Sequence, residues 1–256
     1  MPKHPQETAI VAYSGGKDST ATLLWALEQY QKVIPIFCDT KAEWPETYDY
    51  LNYVEKALNL PIVRLQSKRF SYGLPEYIRK YHFWPSIIQR ACTTELKKMP
   101  LKAYLKNQDG YDLLFGQRAE ESFYRSKLPE REGNLLRPIL RWSKKEVLAY
   151  IAEHSLKLNP VYQFVERANC CVCPMGKPSA IREYSRRYPY DFQEWVILEK
   201  ASGKTWRENM SLLQAAQLEQ GSLFDMQEYS ECLLDGLCDF GEGVEADIHH
   251  YEGKDA

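Results

Sequence analysis

Residues 9–20 read AIVAYSGGKDST, an apolar run that breaks at Ser14 into two glycines and then Lys17, Asp18 and Ser19. Those residue types in that order suit an anion. A turn between a strand and a helix exposes backbone N–H groups, and the helix start adds partial positive charge, so phosphate can sit there without any base-specific contact. Gly15 and Gly16 let the backbone approach closely, and Ser14 and Ser19 can donate hydroxyl hydrogen bonds. Lys17 can neutralise phosphate charge, and Asp18 can hold magnesium or cap the helix. Two glycines alone read equally well as simple turn chemistry. The whole hexapeptide SGGKDS in a strand-to-helix context is what points to a nucleotide. Its spacing differs from the longer Walker loop, GxxxxGK followed by Ser or Thr.

A second group with chemical potential is sulfur. Seven cysteines are an odd number and three crowd into CCVC, which argues against a ladder of structural disulfides and leaves metal or redox chemistry open. Cys170 and Cys173 have CxxC spacing with Cys171 between them, and Cys92 lies upstream in ACTTELKKMPLKAYL. Thiolates in a tight turn bind zinc or an iron–sulfur cluster; a buried thiol group without metal is the alternative. Cys38 falls on a buried strand and reads as core. Cys232 and Cys238, with His249 and His250, form a further metal option near the C-terminus.

These residues need a scaffold, and the apolar pattern supplies one. Runs with strand character recur at TAIVAY, VIPIFC, LPIVRL and YDLLFG, with helical spacing between them. The alternation predicts an α/β fold, a parallel sheet covered by helices. The first helix is expected from about Asp18 with Leu23, Leu24 and Leu27 inward. The second is expected from about Pro45, with Tyr48, Leu51, Val54 and Leu58 on one face, and a third over Thr94 to Gln108. SKKE, Ser143 to Glu146, is a capping box that opens a helix through Ile151. Residues 66–92, rich in aromatics and proline, read as a covering loop with a short helix. REYSRRYPYDFQEWVILEK and WRENMSLLQAAQLEQ look helical, and the end after Gly221 is expected to be poorly ordered.

SGGKDS resembles the PP-loop of the ATP pyrophosphatases, a family of adenine nucleotide alpha hydrolases. That resemblance implies a Rossmann-like sheet with helices on both faces. It also implies ATP cleavage between the α and β phosphates, with adenylation of an acceptor and release of pyrophosphate. FCDTKAEWPETYDYL is similar to the segment DTGxExPETY of phosphoadenosine-phosphosulfate-reductase-like proteins. It places Asp39, Thr40, Glu43 and Glu46 at the carboxyl end of a strand, where ligands gather in open α/β sheets. FGQRAEESFYR resembles GxRxxES..R of the same group, which puts Arg118 and Arg125 where guanidinium groups can clamp phosphate or sulfate. Surface salt bridges to Glu120 or Glu121 are the alternative for both arginines. RPILRWSKKEVLAYI and LNPVY complete the likeness, which covers roughly residues 8 to 200.

Within this group the loop separates two chemistries. Sulfonucleotide reductases resemble the chain, but their equivalent loop usually lacks the full SGGKDS, so Lys17 followed by Asp18 argues for ATP. The reductases carry a catalytic cysteine in a tail motif of the form ECG(I/L)H. Here SECLLDG matches at Glu231 and Cys232 and departs at the glycine and histidine. The cysteines resemble the CC…CxxC cluster ligands of adenylylsulfate reductases. Cys92 matches the first, Thr93 stands in the second place, and Cys171 is the substitute fourth ligand. The resemblance thus implies a 4Fe–4S cluster on Cys92, Cys170, Cys171 and Cys173.

Composition sets the outer limits. With 256 residues and 44% apolar content the chain buries a substantial core. A domain over residues 1–200 with a C-terminal helix and acidic tail over 201–256 is the expected organisation. No apolar run approaches the roughly 18 residues of a membrane span, and the opening MPKHPQET lacks the pattern of a secretion signal, so the expected location is the cytoplasm. The net charge of −2 hides an asymmetry: residues 221–256 hold ten acidic groups and one lysine, leaving residues 1–220 at +7. A basic body suits an anionic ligand, from a nucleotide to a nucleic acid. The expectation is an ATP pyrophosphatase using ATP and Mg2+ to adenylate an acceptor for sulfur transfer. A sulfur donor such as a cysteine desulfurase and a nucleic acid acceptor are its implied partners, with no membrane partner. The alternatives are a sulfonucleotide reductase with Cys232 as nucleophile and a non-catalytic nucleotide- or nucleic-acid-binding module.

Overall fold

A computed structural model describes residues 6–217, which lie within one structural unit, Met1–Glu219. The acidic stretch and Cys232, Cys238, His249 and His250 fall outside the described residues. The strands are β1 (Thr8–Ala12), β2 (Lys32–Cys38), β3 (Val63–Leu65), β4 (Tyr111–Phe115), β5 (Arg131–Glu132) and β6 (Leu135–Leu136). They form one sheet in the order β3-β2-β1-β4-β6-β5, parallel throughout except for the β5–β6 pair. The chain winds outward from β1 to β2 and β3, then crosses back to add β4 on the other side. The carboxyl ends of β1 and β4 therefore flank a topological switch point, where open α/β sheets bind ligands.

The helices are α1 (Lys17–Gln29), α2 (Pro45–Leu58), α3 (Gly73–Tyr81), α4 (Ala91–Thr93), α5 (Met99–Leu105), α6 (Phe123–Ser126), α7 (Lys144–Glu153), α8 (Pro178–Arg187), α9 (Pro189–Ala201) and α10 (Leu212–Ala216). Ala9 and Val11 join a core with Leu23, Leu51, Val54 and Val147, contributed by α1, α2 and α7. Successive strand side chains alternate in direction, so the fully buried Ile10 between them shows that the opposite face is covered too. Each such buried aliphatic side chain contributes about 1.5–3 kcal/mol.

The expected first and second helices form, with Leu23, Leu24, Leu51 and Val54 buried. Leu27 is a correction: it is 38% exposed. The expected third helix starts three residues earlier, at Ala91, and is not uniform. Thr94–Lys98 is a π-helical turn that runs directly into α5, which carries Pro100 in its first turn. Proline has no N–H to return to the carbonyl four residues back, and the wider turn precedes it. The capping box is present: the Ser143 hydroxyl accepts the Glu146 N–H at 3.2 Å, and Glu146 accepts the Ser143 N–H at 2.6 Å. In the C-terminal part, Pro189 separates α8 from α9, and WRENMS forms a tight bridge between Arg207 and Met210 rather than helix. The buried Glu199 carboxylate ties this region together by accepting N–H groups from Trp206 at 2.6 Å and Leu212 at 2.9 Å. Burial pushes its pKa up to about 7 against the pull of those donors. Among the described residues no helix is long and apolar enough to cross a membrane.

Candidate functional site

The SGGKDS loop leaves β1 and enters α1 at the switch point, and its own side chains shape it. Gly15 has φ +71°, and a Cβ there would meet the Thr47 methyl at 3.2 Å, so both conformation and space favour glycine. The Ser19 hydroxyl donates to the Gly16 carbonyl at 2.9 Å and accepts the Ser14 N–H at 3.2 Å; the two serine hydroxyls lie 3.1 Å apart. Gly16 is the N-cap of α1 and offers no side chain to the helix start.

Distant segments hold the loop from behind. Asn159 donates to the Gly15 carbonyl at 3.0 Å and to the Thr47 hydroxyl at 3.2 Å, and the Tyr162 hydroxyl accepts the Lys17 N–H at 2.9 Å. The Lys17 ammonium sits 5.0 Å from the centre of the Tyr162 ring and 3.6 Å from the Asp18 carboxylate. Burial lowers the Lys17 pKa, Asp18 opposes that shift, and the neighbouring Arg118 adds to it. β4 approaches from the other side. A Cβ on Gly116 would lie 2.7 Å from the Asp18 carbonyl carbon and oxygen, so only glycine lets the strand end rest against the helix start.

Asp18 is bound by Arg118 Nε at 2.5 Å, in place of the capping role open to it in sequence. Arg118 is buried, 3% exposed, and also pairs with Glu120, whose carboxylate accepts the Lys144 N–H at the start of α7. Arg125 pairs with Glu121 and is half-buried. Its pKa is lowered by burial and then by Arg167, with Arg90 and Arg118 adding to the effect.

Asp39 and Thr40 follow β2. Asp39 accepts the Lys41 N–H at 2.9 Å and the Tyr48 hydroxyl at 2.8 Å, and meets the Lys41 ammonium at 2.8 Å. Burial raises its pKa, but the Lys41 and Tyr48 hydrogen bonds outweigh that and leave it lowered. Thr40 donates to Glu43 at 3.0 Å and lies 3.7 Å from the Cys170 sulfur. Among the described residues neither Asp39 nor Thr40 hydrogen-bonds the glycine loop; Asp39 is held by Lys41, Tyr48 and Gln66, and Thr40 lies on the sulfur side.

On that side Cys92, Cys170 and Cys173 lie in one another's electrostatic field, together with Lys97 and Glu43, which form an ion pair at 3.5 Å. Burial and then Glu43 push the Cys170 thiol well up, and the same carboxylate raises Lys97. Cys171 does not join them. It is 2% exposed and bonded to Tyr184, and its backbone N–H donates to the Ala42 carbonyl at 2.8 Å. Adjacent residues of a tight turn point apart, so a chain that sends Cys170 toward Glu43 sends Cys171 into the core. The expected four-cysteine set is therefore incomplete, and among the described residues no group of three or more His, Cys, Asp or Glu is arranged to hold a metal ion. These donors do not fit a cluster held by four thiolates. Cys38, expected as core, is half-buried, and burial pushes it up to about 11. A cavity of about 790 Å3 is lined by Lys17, Tyr162 and Arg167 and also by Cys170, Cys171 and Cys173.

A sequence model described as the phosphoadenosine phosphosulfate reductase domain matches residues 8–171. The chain belongs to this family. An uncharacterized protein of Methanocaldococcus jannaschii is 31% identical over 211 residues, covering 79% of this chain and 50% of its own length. The adenosine 5'-phosphosulfate reductase of Allochromatium vinosum is 30% identical over 139 residues, covering 50% of this chain and 53% of that enzyme. The chain thus spans about half the length of these two relatives. The phosphoadenylyl-sulfate reductase of Candida auris, solved as a phosphate complex, superposes with a TM-score of 0.50 at 19% identity, covering 66% of this chain and 82% of that one. It shares the fold.

Members of the phosphoadenosine phosphosulfate reductase family are enzymes that act on nucleotides, and the matched region runs from β1 to Cys171. It takes in the glycine loop, Gly116 and Arg118. Cys173 and the α8–α10 layer lie beyond it. Sequence reasoning missed Gly116, Asn159, Tyr162 and Lys97 as contributors. LNPVY was visible as a motif, but no local signal says that its amide and phenol reach back more than a hundred residues to the loop.

Proposed function

We propose that this member of the phosphoadenosine phosphosulfate reductase family binds ATP with its magnesium at Ser14–Ser19 and transfers the adenylyl group to an acceptor. The observation that carries this reading is the Lys17–Asp18–Arg118 arrangement at the start of α1. The Lys17 ammonium and the buried Arg118 guanidinium both meet the Asp18 carboxylate, Glu120 pairs with Arg118 as well, and Lys144 adds positive charge near Lys17. Cations gathered at a helix start suit the charge that grows on a leaving pyrophosphate. An acceptor oxygen attacks the α phosphorus, the bond to the bridging oxygen breaks, and pyrophosphate leaves with the electron pair. Magnesium would enter with the nucleotide, taking most of its ligands from phosphate and water, and Asp18 is the protein carboxylate that would help to hold it. Sulfur transfer is the second half of the reading: a sulfur nucleophile supplied by a donor such as a cysteine desulfurase displaces AMP from the activated acceptor. Pyrophosphate release from MgATP by the purified full chain tests the first half. Steady formation of ADP and orthophosphate instead would rule it out.

A second reading is reduction of an adenylylated sulfate, and what favours it is the likeness to an enzyme named adenosine 5'-phosphosulfate reductase. Its nucleophile would be Cys232, outside the described residues. Sulfite release from adenylyl sulfate in the presence of thioredoxin, lost in Cys232→Ser, would establish it.

A further inference from the structure

The segment after Arg118 turns outward and presents two large rings to water. Phe123 and Tyr124, adjacent on α6, are 77% and 74% exposed. They are held in place: the Ser122 hydroxyl accepts the Arg125 N–H at 3.2 Å and caps α6, and the Lys127 ammonium lies 4.1 Å from the Phe123 ring centre. Arg125 follows the rings on α6 and pairs with Glu121, and Arg90 and Arg167 act on it electrostatically. Arg90 and Arg167 are exposed, while Arg118, bonded to Asp18, connects this rim to the glycine loop. Arg167 also lines the cavity that reaches Lys17 and Cys170. Rings and guanidiniums thus lead from the surface into the space between the two candidate reacting regions.

Two neighbouring exposed rings beside several cations match one kind of partner well. A polymer with planar apolar faces and a regular row of negative charges satisfies both features, because bases stack on rings and phosphates pair with arginine. A duplex hides its base faces and meets only the charge. The cavity, at about 790 Å3, lies within the range of roughly 300–1,000 Å3 typical of small-ligand pockets and admits one extruded nucleotide.

We propose that Phe123 and Tyr124, with Arg90, Arg125 and Arg167, bind single-stranded nucleic acid and lead one nucleotide of that strand into the cavity between Lys17 and Cys170. The strand as acceptor rests on the ATP reading above; the binding surface does not.

The test uses the full chain and fluorescein-labelled oligonucleotides of about 20 nucleotides, oligo-dT, oligo-U and a duplex of the same length, followed by anisotropy. Both single strands are expected to bind, and the duplex at least about tenfold more weakly. The difference between oligo-dT and oligo-U tells DNA from RNA. The double variant Phe123→Ala/Tyr124→Ala should weaken single-strand binding by about tenfold or more and leave pyrophosphate release from ATP alone unchanged. Arg90→Ala should weaken all strands about equally and reduce the salt slope by about one. Equal binding of duplex and single strand, undiminished binding by the double variant, or no binding at low salt would each overturn the surface. Strand binding without pyrophosphate release would uphold the surface and sink the ATP reading; the reverse pattern would do the opposite.

Discussion

The glycine loop and the sulfur corner face one cavity but are built in opposite ways. Six consecutive residues make the loop, and their mutual hydrogen bonds give it its shape before anything distant touches it. The sulfur corner draws Glu43 from the segment after β2, Cys92 and Lys97 from an irregular helix, and Cys170 and Cys173 from a turn before α8. A local motif sets its own geometry, whereas a composite one inherits its geometry from every element that carries a part. The loop therefore presents the expected residues together, and the corner presents three thiols where four were expected.

The sharpest way to break this contrast is Lys17→Ala. If the loop carries the phosphoryl chemistry, pyrophosphate release should fall by about a hundredfold or more, the scale of losing one preorganised charged group at a developing negative charge. Cys171→Ala, in the neighbouring turn but directed at Tyr184, should leave the rate within about threefold while lowering stability by about 1–2 kcal/mol through the small cavity it opens. Steady-state pyrophosphate assays on the two variants decide it. Equal losses in both would mean that the regions act as a unit.

Gly116→Ala tests how far the loop depends on its surroundings. The new methyl would meet backbone, which cannot rotate away, so β4 and α1 must separate. A loss of about 2–4 kcal/mol is expected, read as an earlier midpoint in urea, together with weaker nucleotide binding. A variant as stable as the parent would show that the contact between β4 and the helix start is not needed.

Away from both regions, Glu199 sets a pH dependence. Its folded pKa of about 7 lies above the ordinary value of 4.5, so the folded state holds a proton that the unfolded state has released. The contribution is fully present below about pH 4.5 and is lost as pH rises through about 7, on the order of 3 kcal/mol in all. Urea midpoints at pH 6 and pH 8 should differ in that direction, and Glu199→Gln should remove most of the difference. A rise in stability over the same interval that survives in Glu199→Gln would contradict it.

What could be read from sequence follows the same division. The strand-to-helix junction, the capping box at Ser143 and the start of α2 at Pro45 are set by neighbours in the chain, and each stands where its residues put it. The π turn at Thr94–Lys98 has a visible cause in Pro100 but no visible extent. The short β5–β6 pair carries too few residues for a period to show. The direction of Cys171 depends on Tyr184 and on the Ala42 carbonyl, both far along the chain, so spacing alone could not reveal that CCVC divides between corner and core. Leu27 fits a helical stripe and still faces solvent, because the stripe is wider than the surface that α1 buries.

The smallest predicted effect isolates the one place where a distant residue completes the local motif. Tyr162→Phe keeps the ring that faces the Lys17 ammonium and removes only the hydroxyl that accepts the Lys17 N–H. A single neutral hydrogen bond of this kind is worth about 0.5–1.5 kcal/mol, so MgATP should bind about two- to tenfold more weakly by calorimetry, with folding stability reduced by no more than that amount. The direction matters more than the size. Were the N–H left free by the variant to turn toward phosphate, binding would tighten, and Tyr162 would be restraining the loop rather than shaping it for the nucleotide.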